Sequence, residues 1–342
     1  MRDAHPRRVL VTGGAGFIGS HLAAEVASAG IDVLAIDDLS TGSAANVDAA
    51  REAARACAGD RAGRIELMEG SVTQCMPRVD PSSVGCVYHL AAAVGVRLVV
   101  EDTVRTIETN VGETGAALRF ASDARVPILV ASTSEVYGKS DRLPFSEDSD
   151  VTYGPTSCAR WSYALSKAID ESLAIAHHRQ RGLQSVIVRF FNTVGPRQTG
   201  RYGMVLPRMI GSALSNRPIE VHGDGEQSRT FCDVRDVVPM LVRLVARPSA
   251  AGRVFNVGRD ERITMNALAR KVIEVTGSAS AVVHRPYSDV YGPGFEDLRV
   301  RQPDLRRIRA EVGWSPAIPL ERTIADMAAW QAGAGARGAC AA

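Results

Sequence analysis

The feature that most constrains this chain is a glycine turn near its start, Thr12-Gly13-Gly14-Ala15-Gly16-Phe17-Ile18-Gly19. Before it, Val9-Leu10-Val11-Thr12 reads as a buried strand; after it, Phe17 to Ser28 reads as a helix. In a strand–turn–helix of this kind Gly13 permits the tight turn. Gly16 lets a diphosphate approach the free N–H groups of the helix start, and Gly19 lets helix and sheet pack closely. The spacing is G-x-x-G-x-x-G rather than G-x-G-x-x-G, and glycines also mark ordinary turns. The context strengthens the reading, because an acidic residue, Asp37, ends the next strand, Asp32 to Ile36. A carboxylate there accepts hydrogen bonds from the adenosine ribose and repels a 2′-phosphate, so the expected cofactor is NAD rather than NADP.

The same alternation continues. Arg64 to Met68, Cys86 to His89, Pro127 to Ala131 and Ser185 to Arg189 read as further strands, with helices at Asp102 to Ala124 and Arg160 to Gln180. Short continuous apolar strands alternating with helices predict an α/β fold: a doubly wound parallel sheet of Rossmann type. After about Gly195 the pattern breaks up under Pro and Gly, with helices expected at Ala267 to Thr276 and Leu320 to Trp330. The reading is a cofactor domain over residues 1–195, with later segments near 230–265 returning to it. A smaller, interleaved α/β substrate domain covers 196–330, and an Ala/Gly-rich tail that frays covers 331–342. A length of 342 residues accommodates both domains.

Composition excludes several classes. Forty Lys and Arg against 38 Asp and Glu leave a net charge of +2 with no basic block, so nucleic acid is not an expected partner. No run approaches the roughly 18 apolar residues of a membrane helix. No apolar segment follows the charges of Met1 to Arg8, so a cytoplasmic enzyme is expected. Cys57, Cys75, Cys86, Cys158, Cys232 and Cys340 are scattered without paired spacing, which reads as reduced thiols. The histidines form no H-x-x-x-H pair, so no metal site is expected.

Tyr163 and Lys167 lie four apart on a helical stretch and therefore share a face. A nearby ammonium and a positive nicotinamide ring favour the phenolate, which can take a proton from a sugar hydroxyl. A lone Y-x-x-x-K is common by chance; its place after the glycine turn and after Ser132-Thr133-Ser134-Glu135-Val136-Tyr137-Gly138 gives it weight.

Together these segments, with Asn110 in T-N-V-G and Arg189-Phe190-Phe191-Asn192-Thr193-Val194-Gly195-Pro196-Arg197, resemble the extended short-chain dehydrogenase/reductase family. That family contains nucleotide-sugar epimerases, dehydratases and decarboxylases, and the resemblance spans roughly residues 8 to 330. It implies that Thr133 hydrogen-bonds the reacting hydroxyl beside Tyr163. It implies that Asn192 and Arg229 contact the nucleotide diphosphate, and that homodimers form through the helices near 102–124 and 160–180. Around the tightly bound, recycled NAD it implies Gly13, Gly16, Phe17, Ile18, Gly19, Asp37, Val72, Leu90, Ala91, Ala92 and Asn110, besides Tyr163 and Lys167. One departure stands out: the family usually has Asp after the third strand to hold the adenine amino group, and this chain has Ser71, which is expected to contact the cofactor there through its hydroxyl or backbone.

The residues after Thr133 bear on the reaction. The 4,6-dehydratases carry Asp where this chain has Ser134, and serine is a poor general acid for losing water. Glu135 with Val136-Tyr137-Gly138 is similar to the UDP-glucuronate decarboxylases. So is Arg160-Trp161-Ser162-Tyr163-Ala164-Leu165-Ser166-Lys167. So is the stretch Tyr291 to Asp297 leading to Arg301, whose counterpart in those enzymes faces the sugar carboxylate. The resemblance therefore implies oxidation of UDP-glucuronate at C4 and loss of C6 as CO2, giving a UDP-4-keto-pentose or, after re-reduction, UDP-xylose. Arg301 would grip the carboxylate, Glu135 would orient the ring or move a proton, and Ser134 would hold the sugar. Two alternatives stay open: a 4-epimerase of UDP-glucuronate or another UDP-sugar, and a non-catalytic NAD-binding protein. Trp161, Trp314 and Tyr137 read as packing rather than chemistry.

Overall fold

Short β-branched runs assemble into one parallel sheet. In this computed structural model, which describes residues 7–93, 102–200, 204–291 and 298–339, the strands are β1 (Arg8–Thr12), β2 (Val33–Asp37), β3 (Ile65–Glu69), β4 (Val84–His89), β5 (Ile128–Thr133) and β6 (Ser185–Phe190). A later strand, Arg253–Val257, joins beyond β6. From that edge the order is Arg253–Val257, β6, β5, β4, β1, β2, β3, every pair parallel. Chain progression reverses between β1 and β4, which opens a crevice at the carboxyl ends of the strands, where α/β sheets bind ligands. Register matters for the site: β5 and β6 run together from Ile128 opposite Ser185 to Thr133 opposite Phe190. Thr133 and the segment leading to Asn192 therefore reach the crevice side by side.

Helices cover both faces. On one, α1 (Phe17–Ser28), α2 (Ala44–Ala58) and the helix Val234–Val245 bury Leu22, Val26, Val47, Val237 and Leu241 against Val11 and Phe255. On the other, α3 (Val72–Cys75), α4 (Thr103–Ala124) and α5 (Arg160–Arg181) close over Leu10, Leu34, Ile36 and Ile187. Each such side chain removed fully from water contributes roughly 1.5–3 kcal/mol. A separate cluster joins the helices Val205–Leu214 and Met265–Thr276 with Ile219, Val221, Ile324 and Met327.

Several elements depart from the sequence reading. α2 was not expected, because its fifteen residues bury only Asn46, Val47, Ala50 and Ala54, too few for an apolar stripe. The helices Val205–Leu214 and Val234–Val245 stand where only short elements were expected. The last helix does not stop at Trp330 but continues to Ala339, since alanine has the highest helix propensity. Trp161 and Trp314 are buried, and Tyr137 stacks on Phe145 at 4.6 Å, as packing residues do. Most of the Tyr291 to Asp297 motif, residues 292–297, lies outside the described residues, as do 340–342. Among the described residues no helix is long and apolar enough to cross a membrane.

Candidate active site

The glycine turn lies at the sheet's switch point as the wall of a cleft of about 640 Å³. Gly13 has φ +68°, and a Cβ there would stand 2.8 Å from Ala91 N. A Cβ on Gly19 would overlap Gly13 O at 2.0 Å, so this glycine is what allows α1 to lie against the turn. Gly16 differs: a Cβ there would meet only the carbonyl of Gly13 and would otherwise stand in the cleft. No side chain caps α1, so its first N–H groups open onto that space. Positive helix-end charge beside a cradle that a methyl group would fill fits a diphosphate.

Asp37 ends β2 at the far side of the turn. Its carboxylate accepts Ala15 N at 3.0 Å and Leu39 N at 2.9 Å, which aims it at the cleft. Burial raises its pKa, while those two backbone bonds oppose the rise. Phe17, Ile18, Val72, Leu90, Ala91 and Ala92 also line the cleft. Asn110 does not. It is buried behind the wall, where its Oδ1 accepts Ala93 N at 2.8 Å and its Nδ2 donates to Ser166 Oγ at 3.1 Å. Its part is to tie the strand-β4 exit to α5. Ser71 lines the cleft, but its side chain is committed: it caps α3 in a reciprocal box with Gln74.

Tyr163 and Lys167 emerge from consecutive turns of α5 into the middle of the cleft. Thr133, at the end of β5, caps the short turn that follows by accepting Glu135 N at 3.2 Å, and its hydroxyl also hydrogen-bonds the Tyr163 phenol. Ser134 and Glu135 follow on that turn and line the same wall. The expected lowering of the Tyr163 pKa does not appear in the protein alone. Burial pushes the phenol up, Glu135 and Asp170 push it further, and only the Thr133 bond opposes them. Lys167 cannot dominate because Asp170 lies 2.7 Å from its ammonium, both groups being buried. Thr114 stands near Asp170, and its hydroxyl meets His89 at 3.0 Å, while His89 reaches Thr12 at 2.8 Å. A buried polar chain thus runs from the glycine turn through His89 to Thr114, towards the Lys167–Asp170 pair.

Glu135 is the hub of the second charged group. Arg301, arriving from 166 residues away, forms a close ion pair with it, and Arg160 Nη2 stands 3.7 Å from its other oxygen. All three side chains are largely buried and line the cleft. Among the described residues, two guanidiniums thus gather on one carboxylate beside the cavity that Tyr163 enters. Sequence reading singled out Glu135 and Arg301. Arg160 lay inside the quoted Arg160-to-Lys167 motif, one helical turn before Tyr163, and that spacing was the available signal.

Beyond Tyr163 the cleft continues to Asn192, Arg208, Gln227 and Arg229. Asn192 Nδ2 donates to Thr230 O at 2.8 Å, and Arg229 Nη1 donates to Ser228 O and Leu298 O, each at 2.8 Å. The residues expected around the cofactor, the sugar and the nucleotide therefore share one continuous cavity, Asn110 excepted. Asp170, Arg160 and Glu113 are the additions made by the tertiary structure.

A family model described as the NAD dependent epimerase/dehydratase family matches residues 9–258. The UDP-N-acetyl-alpha-D-glucosaminuronate decarboxylase of Bacillus cytotoxicus is 35% identical, over 95% of this chain and 97% of that protein. The UDP-glucuronic acid decarboxylase 1 of Xenopus tropicalis is 32% identical, over 94% of this chain and 71% of that protein. Among solved structures, the UDP-glucose 4-epimerase of Thermotoga maritima with UDP-glucose superposes with a TM-score of 0.82 at 26% identity, covering 96% and 99% of the two chains.

Proposed function

The chain belongs to the NAD-dependent epimerase/dehydratase family, and from that premise we propose that it decarboxylates a UDP-linked hexuronate, UDP-glucuronate first. The observation that carries this reading is the charge arrangement beside Tyr163: Arg301 and Arg160 gathered on Glu135. Guanidiniums there suit a sugar carboxylate, for which epimerisation of a neutral UDP-sugar has no use.

NAD, when bound, takes two electrons from C4 of the sugar and can return them. The residues that hold it are those of the glycine turn, Asp37 and the β4 exit. Tyr163 takes the proton of the C4 hydroxyl, with Thr133 donating to the phenolate oxygen. The C4 ketone is β to the C6 carboxylate. The C5–C6 bond breaks, CO2 leaves, and the electron pair moves into an enolate at C4. Tyr163, now protonated, donates to the enolate oxygen. Arg301 and Arg160 hold the carboxylate until it leaves; Glu135 between them limits their excess charge and relays a proton from water to C5. Ser134 holds the sugar, and Asn192 and Arg229 take the diphosphate. The product is the UDP-4-keto-pentose or, after return of the electrons, UDP-xylose.

The Bacillus relative supports a second substrate, the 2-N-acetylated hexuronate, because it matches over nearly its whole length. Both substrates are tested together by incubating the purified chain with each and weighing the products. Loss of one CO2 supports decarboxylation. Unchanged mass with inversion at C4, seen by NMR, replaces it with the epimerase reading. We further take the chain to be a homodimer joined through the outer faces of α4 and α5, where Val104, Ile107 and Ile169 are exposed. A monomeric mass by light scattering would end that part.

A further inference from the structure

The adenosine end of the cleft holds a carboxylate that neither the sequence reading nor the proposed reaction uses. Glu113 projects from α4 towards α3, lines the cleft and accepts Val72 N at 3.3 Å, its one hydrogen bond among the described residues. The other oxygen has no such partner. Asp37 and Asp38 stand on the β2 side of the same space, and Arg105 and Thr109 line it from α4 itself. Burial, aided by those two aspartates, pushes the Glu113 carboxyl up to about 7. An acid held in so unfavourable a position, with no cation bonded to it, fits a ligand that offers N–H donors.

Ser71 is a poor candidate for that ligand contact. Its hydroxyl accepts Gln74 N at 3.3 Å and meets Thr73 Oγ1 at 3.0 Å, while its own N–H donates to Gln74 Oε1 at 3.3 Å. Taking the hydroxyl away would open the cap of α3, at a cost of about 1 kcal/mol. Val72 N–H and the Glu113 carboxylate, by contrast, form an adjacent donor and acceptor. The edge of adenine presents the complementary pair, the N1 acceptor beside the 6-amino donor. Turning the carboxylate from Val72 N to the amino group frees that N–H for N1, so both protein groups remain satisfied.

We propose that Glu113 is the residue that recognises the adenine amino group of NAD in this protein, with Val72 N–H as its partner on N1. The assignment rests on the NAD cofactor alone and is independent of what happens to the sugar.

The test uses calorimetry on the intact 342-residue chain with two probes, NAD and its 6-deamino (purine) analogue, in which hydrogen replaces the 6-amino group and N1 stays an acceptor. Wild type should bind NAD roughly 10- to 100-fold more tightly than the analogue, the range of one charge-assisted hydrogen bond. Glu113→Ala should weaken NAD by that factor and the analogue less than about threefold, erasing the preference. Glu113→Gln, whose amide oxygen still accepts, should keep part of it. A wild type that binds both probes equally overturns the proposal. So does a Glu113→Ala or Glu113→Gln protein that weakens both probes alike, which is what a purely structural role of Glu113 would do. Should the alanine variant not fold, the wild-type ratio and the glutamine variant still decide. CO2 release from the sugar does not enter the readout, so failure here leaves the decarboxylation reading standing, and the reverse.

Discussion

Replacing Arg301 by alanine removes one of the two cations that, among the described residues, gather on Glu135. The Arg301 side chain is 10% exposed and that of Glu135 20%, so the pair is partly shielded from water. After the change Glu135 keeps Arg160, at 3.7 Å, and the site loses one positive charge. A sugar carboxylate then loses a charge-assisted hydrogen bond worth about 1.5–3 kcal/mol, which is roughly 10- to 150-fold in dissociation constant. UDP-glucose, which differs from UDP-glucuronate in lacking the carboxylate, should lose less than about threefold. Calorimetric titration of both ligands into wild type and variant gives the comparison directly, and a thermal melt establishes that the variant is folded. Arg301→Lys should recover part of the loss, because it restores the charge but not the forked geometry. If Arg301→Ala weakens the two ligands equally, the arginine shapes the pocket without reading the acid. If it weakens neither, the carboxylate is held elsewhere, and the charge argument for decarboxylation falls.

Three other perturbations follow from the geometry. Asp170→Asn takes away a negative neighbour that raises the Tyr163 pKa; the phenolate then forms at lower pH, so the alkaline-activated limb of the rate profile should shift towards acid, and an unmoved limb would disconnect Asp170 from the base. Gly19→Ala drives a methyl group to 2.0 Å from Gly13 O, a backbone clash that α1 relieves only by lifting off the turn; NAD affinity should drop at least tenfold with a lower melting temperature, and wild-type values for both would refute the packing argument. His89, buried between Thr12 and Thr114, is lowered to about 3 by burial and by the Lys167 charge. Its folded pKa lies below the unfolded value near 6.5, so the folded state stays neutral while the unfolded state takes up a proton, and stability present above pH 6.5 is lost as pH falls from there towards 3. Relative to His89→Gln, wild type should lose up to about 1.4 kcal/mol per pH unit in that window, measured by denaturant titration; a constant difference between pH 7 and pH 5 would sink the claim.

Much of the architecture was legible because it is encoded locally. The strand runs, the glycine turn with Asp37, and Tyr163 with Lys167 on one helix face each depend on residues within a few turns of one another, where periodicity and backbone freedom act. α2 escaped notice for a matching reason: its stability comes from alanine propensity and a few small buried contacts, which leave no apolar stripe to read. Asn110 was found by its motif but not by its task, since a motif does not say whether an amide faces a ligand or ties Ala93 to Ser166 behind the wall.

By itself the sequence determined the sheet, the glycine turn and the helix face that Tyr163 and Lys167 share, because short-range sterics and hydrophobic periodicity are enough to specify them. Only the tertiary structure decided the charges. Arg301 meets Glu135 across 166 residues, and Glu113 meets Val72 across 41. Asp170 neutralises Lys167 only because the core buries both. Coulomb interactions depend on distance through space and on how much water lies between, and neither is a property of position along the chain.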